Sequence, residues 1–429
     1  MTLDVRPWFQ DVGDLPERTP NATIGAMKGS DILRIAAEIR QRQADGHAVA
    51  NFTIGDFDPS IFPIPEPFCE SIAAHLRAGQ TNYPPAIGVP ELRSAIRSFY
   101  KDRLGIDYPE GSVQVGSGAR PPIYSAFRAL LEPGDLVVYP VPTWNVRYYV
   151  QMNQAREAVV MTGPETGFMP TAESILPHLR EARVVLLNSP LNPAGTVIAD
   201  NLLREITQAI VDENNRRAHT GERALYLIFD QVYWQLTFGR SHVSPVTLVP
   251  EAARYVIHID AISKCWAATG LRVGWAVVPP WVRGRMKPLI GHMGAWAGRA
   301  EQRATASMLA EPQLLDPWMS NFRGRISGLL TQLAEGLRSM KAEGLPVDCL
   351  DPEGAIYLSA RFDLIGRAGI ETDEDLRVFL LKEAGLGVVP FTAFGMPDGT
   401  GWLRVSVGTA TPESVAGALE RLRGALRRL

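Results

Sequence analysis

The chain is poor in cysteine, in blocks of like charge and in long apolar runs, and each shortage removes a class of protein. Cys69, Cys265 and Cys349 are the 3 cysteines among 429 residues. They are odd in number and widely spaced, which excludes a disulfide framework or a metal cluster and fits a reducing cytoplasm. The 43 Lys and Arg against 46 Asp and Glu leave a net charge of -3, scattered along the chain. Nothing electrostatic therefore points to nucleic acid or a membrane surface. The longest apolar runs, such as ALYLIF at 224–229, have strand length and fall short of a bilayer span. The opening MTLDVRPWFQD carries acids where a secretory signal would be basic and then apolar. Repeats, low-complexity runs and long linkers are missing too.

What is present is enough chain for two domains. Residues 1–27, rich in Pro, Thr and Asn and carrying Trp8 and Phe9, read as an extended arm without a core of its own. Ser30 is placed to cap a helix in which Ile32, Ile35, Ala36 and Ile39 share a face, ended by Gly46. From 112 to 278, apolar strand-like runs at 113–115, 136–139, 183–187, 224–229, 255–259 and 272–278 alternate with helical stretches. That alternation predicts an α/β fold with a mostly parallel central sheet covered on both faces. The remainder, strands and helices in short alternation after a long helix near 312–343, reads as a smaller α+β domain. The expected division is 28–60 with 312–429 as the small domain and 61–311 as the large one.

Ligands of such sheets bind beyond the carboxyl ends of the strands, so the residues at those ends matter most. Gly116-Ser117-Gly118-Ala119-Arg120 follows one strand and opens a helix, a seat for an anion such as phosphate. Trp144 follows the next strand, Asn192 another, and Asp230 closes ALYLIF, where a buried carboxylate needs a partner. Lys264 lies in a tight connection at one edge of the sheet, between the runs 255–259 and 272–278. Trp266 and the small residues Ala261, Ala267, Ala268 and Gly270 hem it in. A lone loop lysine is ordinarily solvated. Desolvation between two apolar strands would lower its pKa and make it a nucleophile for a carbonyl. Arg404, in the apolar strand GWLRVSV, also needs a partner if buried.

The stretch AISK at 261–264 followed by GLRVG at 270–274 resembles the Ser-x-x-Lys...Gly-x-Arg-x-Gly signature of fold-type I pyridoxal-phosphate enzymes, specifically the class I aminotransferases of the aspartate aminotransferase family. The segment YPPAIGVPELR at 83–93 and NPAG at 192–195 extend the resemblance, which covers roughly residues 30–425. It implies that Lys264 carries pyridoxal 5'-phosphate covalently and moves the substrate α-proton. Asp230 would keep the ring nitrogen protonated, Tyr233 and Asn192 would hold the ring oxygen, and Trp144 would stack on the ring. The phosphate would lie on Gly118, Ala119, the Arg120 backbone and Arg272, with Tyr83 reaching across a homodimer interface. Gly55 would lie against the substrate, Arg404 would clamp its α-carboxylate, and the Arg120 side chain would meet a distal carboxylate.

Three departures accompany the match. Ala261 stands where a phosphate-binding serine is usual, leaving Ser263 as the nearby hydroxyl. Ala194 replaces a threonine, and Phe391 replaces a glycine, which predicts a bulkier pocket wall. Ile290 falls near the position of a distal-carboxylate arginine, with Trp296 and Arg299 expected along the same pocket. The resemblance implies transfer of an amino group between an aspartate-like or aromatic L-amino acid and a 2-oxo acid such as 2-oxoglutarate. The same fold and cofactor also serve β-lyases, decarboxylases and cyclising synthases. A cofactor-sensing regulator would need a helix-turn-helix domain, for which the residues before the first core helix leave no room.

Overall fold

Strands buried on both faces alternate their side chains between two cores. In the computed structural model, Val184 and Leu186 pack in one apolar cluster with Ile228 and Ile257. Their chain neighbours Val185 and Leu187 pack in another with Leu227 and Phe229. The structure describes residues 2–429 apart from Asp11, Pro20, Ala26, Lys28 and Ser30, so the expected Ser30 cap lies outside the described residues.

The strands in chain order are β1 (Ala50–Asn51), β2 (Val113–Ser117), β3 (Leu136–Val141), β4 (Arg156–Met161), β5 (Ala182–Asn188), β6 (Tyr226–Asp230), β7 (Val256–Ala261), β8 (Val273–Val277), β9 (Val347–Cys349), β10 (Tyr357–Phe362), β11 (Leu386–Gly387), β12 (Val389–Pro390) and β13 (Trp402–Ser406). The large sheet runs β2-β8-β7-β6-β5-β3-β4. All its pairings are parallel except those of β8, which is antiparallel to β2 and β7.

Two expectations need correcting. The Lys264 connection does join adjacent strands, but it is not at the sheet's edge, because β2 pairs on the far side of β8. Strand β4 has no counterpart among the apolar runs of the sequence. It forms the other edge, and most of its REAVVM residues are exposed or half-buried, so no continuous apolar run betrays it. Helices cover the sheet, among them Arg120–Leu130, Asp200–Thr220 and Pro280–Met293.

The C-terminal third builds the antiparallel sheet β12-β13-β10-β9 beside the 31-residue helix Pro312–Ala342. Residues from the start of the chain join it: β1 pairs in parallel with β11, and Ser406 N–H donates to the Phe52 carbonyl at 2.8 Å. Within the first 27 residues the described elements are short turns of helix, and Trp8 and Phe9 are exposed. Gln151 Nε2 donates to the Thr23 carbonyl at 3.0 Å, tying this stretch to the helix Val146–Met152. Among the described residues no helix is long and apolar enough to cross a membrane.

Candidate active site

The carboxyl ends of β3, β5, β6 and β7 open onto one cavity of about 500 Å³. Gly55, Ala119, Arg120, Trp144, Asn192, Asp230, Tyr233, Ser263, Lys264, Arg272 and Arg404 all line it. Gly118 stands directly behind this wall, against the Arg272 guanidinium.

Lys264 sits in a single helical turn, Ile262–Cys265, that starts where β7 stops. Its amine donates to the Gly55 carbonyl. Burial pulls that amine down to about 8; Asp56 opposes the shift, and the positive charges of Arg404, Arg120 and Arg272 add to it. Asp230, at the end of β6, is 1% exposed. Burial pushes its carboxyl up to about 7, although the Val232 N–H and the Trp144 side chain hydrogen-bond to it. No cation pairs with it among the described residues.

Arg404 crosses from β13 into the cavity wall, where it is 1% exposed. Its Nη1 donates to Asn192 Oδ1 at 3.0 Å and its Nη2 to the Thr53 carbonyl at 2.5 Å. The guanidinium lies 4.6 Å from the centre of the Tyr357 ring and 4.9 Å from that of Phe394. Only neutral groups meet its charge, and its Nε has no partner among the described residues. A buried cation in that condition calls for an anion.

The glycines of the two loops are explained by one interlocked contact. Arg272 has left-handed backbone, φ 55°, and donates to the Thr269 carbonyl at 2.7 Å and the Ser117 carbonyl at 3.2 Å. A Cβ on Gly118 would fall 2.1 Å from Arg272 Nη2, and one on Gly274 would fall 2.3 Å from the Gly118 carbonyl carbon. Larger residues at either place would push the loop off the arginine. Pro121 and Pro122 follow Arg120 at the start of the helix and have no N–H, so the amides near its first turn are those of Gly118, Ala119 and Arg120.

Several side chains missed by sequence reasoning complete the site. Tyr357 hydrogen-bonds through its hydroxyl to that of Tyr233 at 2.6 Å. A Cβ on Gly55 would lie 2.7 Å from the Tyr357 oxygen, which accounts for the glycine. Asp56 accepts from Thr269 Oγ1 at 2.5 Å, and Ile32 and Phe394 add apolar wall. A phenol within the apolar run AIYLSARF was the available signal for Tyr357, since a buried hydroxyl needs a partner just as Arg404 does.

Two pocket-wall expectations fail. Phe391 is fully buried and packs against Phe168, Phe394 and Trp402, so it thickens the core and leaves the wall to Ala393 and Phe394. Ile290 is fully buried in the helix Pro280–Met293, away from the cavity lining. Trp296 and Arg299 are outside the lining of their own chain's cavity and group instead with Tyr83, the residue expected to reach a neighbouring subunit. The Tyr83 ring, 80% exposed, meets Trp296 edge-on at 5.0 Å, and Arg299 donates to Gln80 Oε1 at 3.0 Å and Asn82 Oδ1 at 2.8 Å. Tyr83 does not reach the cavity of its own chain.

An open α/β sheet with a lysine of lowered pKa, an unpaired buried aspartate and three arginines around one cavity defines an enzyme that handles anionic substrates through amine chemistry. Residues 49–422 match the family model for aminotransferases of class I and II, and the chain belongs to that family. An aspartate aminotransferase of Rhizobium meliloti (strain 1021) is 29% identical over 420 residues, covering 96% of this chain and 97% of the relative. A probable aspartate/prephenate aminotransferase of Aquifex aeolicus (strain VF5) is 28% identical, covering 95% and 98%. The solved aspartate aminotransferase of Thermus thermophilus with maleate superposes with a TM-score of 0.85 at 26% identity, covering 95% of this chain and all of that one. The protein is an aminotransferase of the pyridoxal-phosphate-dependent kind.

Proposed function

We propose that this aminotransferase works on acidic or aromatic L-amino acids with 2-oxoglutarate as acceptor, and that the cavity around Lys264 is where it does so. The observation that carries the reading is a charge imbalance: Lys264, Arg120, Arg272 and Arg404 line the cavity, against Asp230 in the lining and Asp56 beside it. Anions must balance it. None of the three arginines has a salt-bridged carboxylate among the described residues: a phosphate suits Arg272, an α-carboxylate suits Arg404, and a distal carboxylate suits Arg120. The maleate in the Thermus relative is a dicarboxylate, in keeping with this.

The residues fit pyridoxal 5'-phosphate. Arg272 and the amides of Gly118, Ala119 and Arg120 offer a phosphate seat, with the Ser263 hydroxyl nearby. Ala261, without a hydroxyl, contributes only space. Asp230, buried without a cation, suits a protonated ring nitrogen; Asn192 and the Tyr233 hydroxyl suit the ring oxygen, and Trp144 the ring face. When bound, this cofactor supplies a carbonyl carbon that captures amines and a ring that withdraws electrons from the carbon next to it. Lys264 Nζ, its free amine brought down to about 8 by burial, would hold the cofactor through that carbonyl and, once displaced, would take and return the substrate α-proton. Asp230 would supply the negative charge that keeps the ring cationic. Arg404 fixes the α-carboxylate, beside Gly55, with Tyr357 and Phe394 limiting its motion.

Exposed Tyr83 suits a homodimer in which it completes the neighbour's phosphate site. The chain divides best into an arm at 1–27, a small domain of 28–60 with 312–429, and a large domain of 61–311. A cytoplasmic location accords with the three free cysteines.

The test is the visible spectrum of the cofactor-loaded protein as aspartate, glutamate and an aromatic amino acid are added singly. Transamination predicts a loss of the visible band that 2-oxoglutarate reverses. Pyruvate and ammonia as products, with no reversal, would instead mean a β-lyase.

A further inference from the structure

Behind the cavity lies a second buried carboxylate, which the reaction as described does not use. Asp260 is the penultimate residue of β7 and is fully buried. Its Oδ1 accepts from the Ala261 N–H at 2.8 Å, and its Oδ2 accepts from the Trp234 indole N–H at 2.8 Å, with the Tyr100 hydroxyl at 3.5 Å. Ala261 begins the turn that bears Lys264. Trp234 ends the turn that directly follows Asp230, the last residue of β6, and that bears Tyr233; its backbone N–H bonds back to the Gln231 carbonyl at 2.8 Å. One carboxylate therefore spans the two segments whose relative placement sets the distance from Lys264 to Asp230.

The surroundings make the contact costly to lose. Tyr100, from the helix Pro90–Leu104, accepts from Gln231 Nε2 at 3.2 Å, and Gln231 Oε1 lies 3.1 Å from His258 Nδ1. Cys265 and Asp230 also face Asp260, and Tyr108 and Trp275 reach it through Tyr100. No lysine or arginine pairs with it among the described residues. Its hydrogen bonds are its only compensation for burial.

We propose that Asp260 is a positioning residue, locking the Lys264 turn against the Asp230–Trp234 turn so that the lysine amine stays in its desolvated place. The inference rests on the reading of Lys264 as the reacting amine. Freed from the lock, the Lys264 nitrogen gains water, and its protonated form is favoured, both as the free amine and when joined to the cofactor.

The test compares cofactor-loaded Asp260→Asn, Asp260→Ala, Trp234→Phe and the double variant Asp260→Ala/Trp234→Phe with the parent. It follows the pH midpoint of the visible absorption band together with kcat, KM and Tm. Trp234→Phe removes one N–H and keeps a ring in the core, so it reads the lock even if Asp260→Ala does not fold. The midpoint should rise by about half a unit to one unit in each variant, and kcat should fall about 10-fold with KM changed less than about 2-fold. The double variant should be no worse than Asp260→Ala, because both changes break one contact. Midpoints and kcat values equal to the parent in Asp260→Asn and Trp234→Phe, whatever their Tm, would overturn the proposal, as would fully additive effects. Lys264→Ala separates the two readings: if it kept the titrating visible band, the assignment of Lys264 itself would be at fault.

Discussion

Arg404 keeps its charge in a fully buried position by leaning on the faces of Tyr357 and Phe394 and on two neutral oxygens. A planar fork is needed for that arrangement, because a lysine cannot serve Asn192, the Thr53 carbonyl and an incoming carboxylate together. Arg404→Lys is therefore expected to lower kcat/KM for the amino donor by about 100-fold, roughly 2.7 kcal/mol. Steady-state kinetics would show it, with the visible spectrum of the resting enzyme unchanged. At Gly274 the constraint is steric. A methyl there meets the Gly118 carbonyl carbon at 2.3 Å and the Ala119 nitrogen at 2.6 Å, both backbone atoms. Gly274→Ala should weaken cofactor binding at least about 10-fold by displacing the phosphate seat; retention of cofactor through dialysis at the parent's rate would contradict this.

At the scale of the element, Phe391 and Phe394 open and close a single 3-10 turn, Phe391–Phe394. Residues three apart stack on the same side of such a turn, so counting along the sequence cannot tell which ring faces the ligand. Packing decides it: Phe391 stacks on Trp402 and meets Phe168 edge-on, leaving Phe394 nearer the cavity. Phe391→Ala is expected to cost about 3–5 kcal/mol of stability, measured by urea unfolding. Phe394→Ala should instead raise KM for the amino donor with a smaller loss of stability. The strand ends bearing Asp230 and Lys264 were legible because fully buried strands leave largely apolar runs, unbroken in β6 and interrupted in β7 by the buried His258 and Asp260. Strand β4 was not, since an edge strand with one wet face leaves none. Tyr357 stayed hidden because its hydroxyl's partner, Tyr233, is 124 residues away.

Over the whole molecule, the buried titratable groups set a pH dependence for the cofactor-free protein. Asp230 and Asp260, raised by burial from 3.8 to about 7 and about 8, hold protons that the unfolded chain has released. Their contribution to stability is full below the ordinary carboxylate range and is lost as pH rises through 7 and 8. His242 and His258, lowered by burial from 6.5 to about 3, act oppositely, and their contribution is lost as pH falls below 6.5. Between about pH 4 and 6.5 the two effects cancel, two protons against two. From 6.5 to 8 only the carboxylates act, and stability falls by about 1.4 kcal/mol per pH unit for each group still titrating. Lys264, lowered from 10.5 to about 8, adds stability as pH rises above 8. Calorimetry from pH 5 to 9 should find a Tm that is level, then falling, then recovering; a steady rise between 6.5 and 8 would contradict the assignment. The contacts of Arg404 also order events in time. Its partners Thr53 and Asn192 leave the ribosome 351 and 212 residues before it does, so a growing chain already carries the lysine, the aspartate and the phosphate-seat residues while the clamp for the α-carboxylate is still unmade. A chain halted before residue 404 would hold every residue named for the cofactor and lack the one that fastens the amino acid above it.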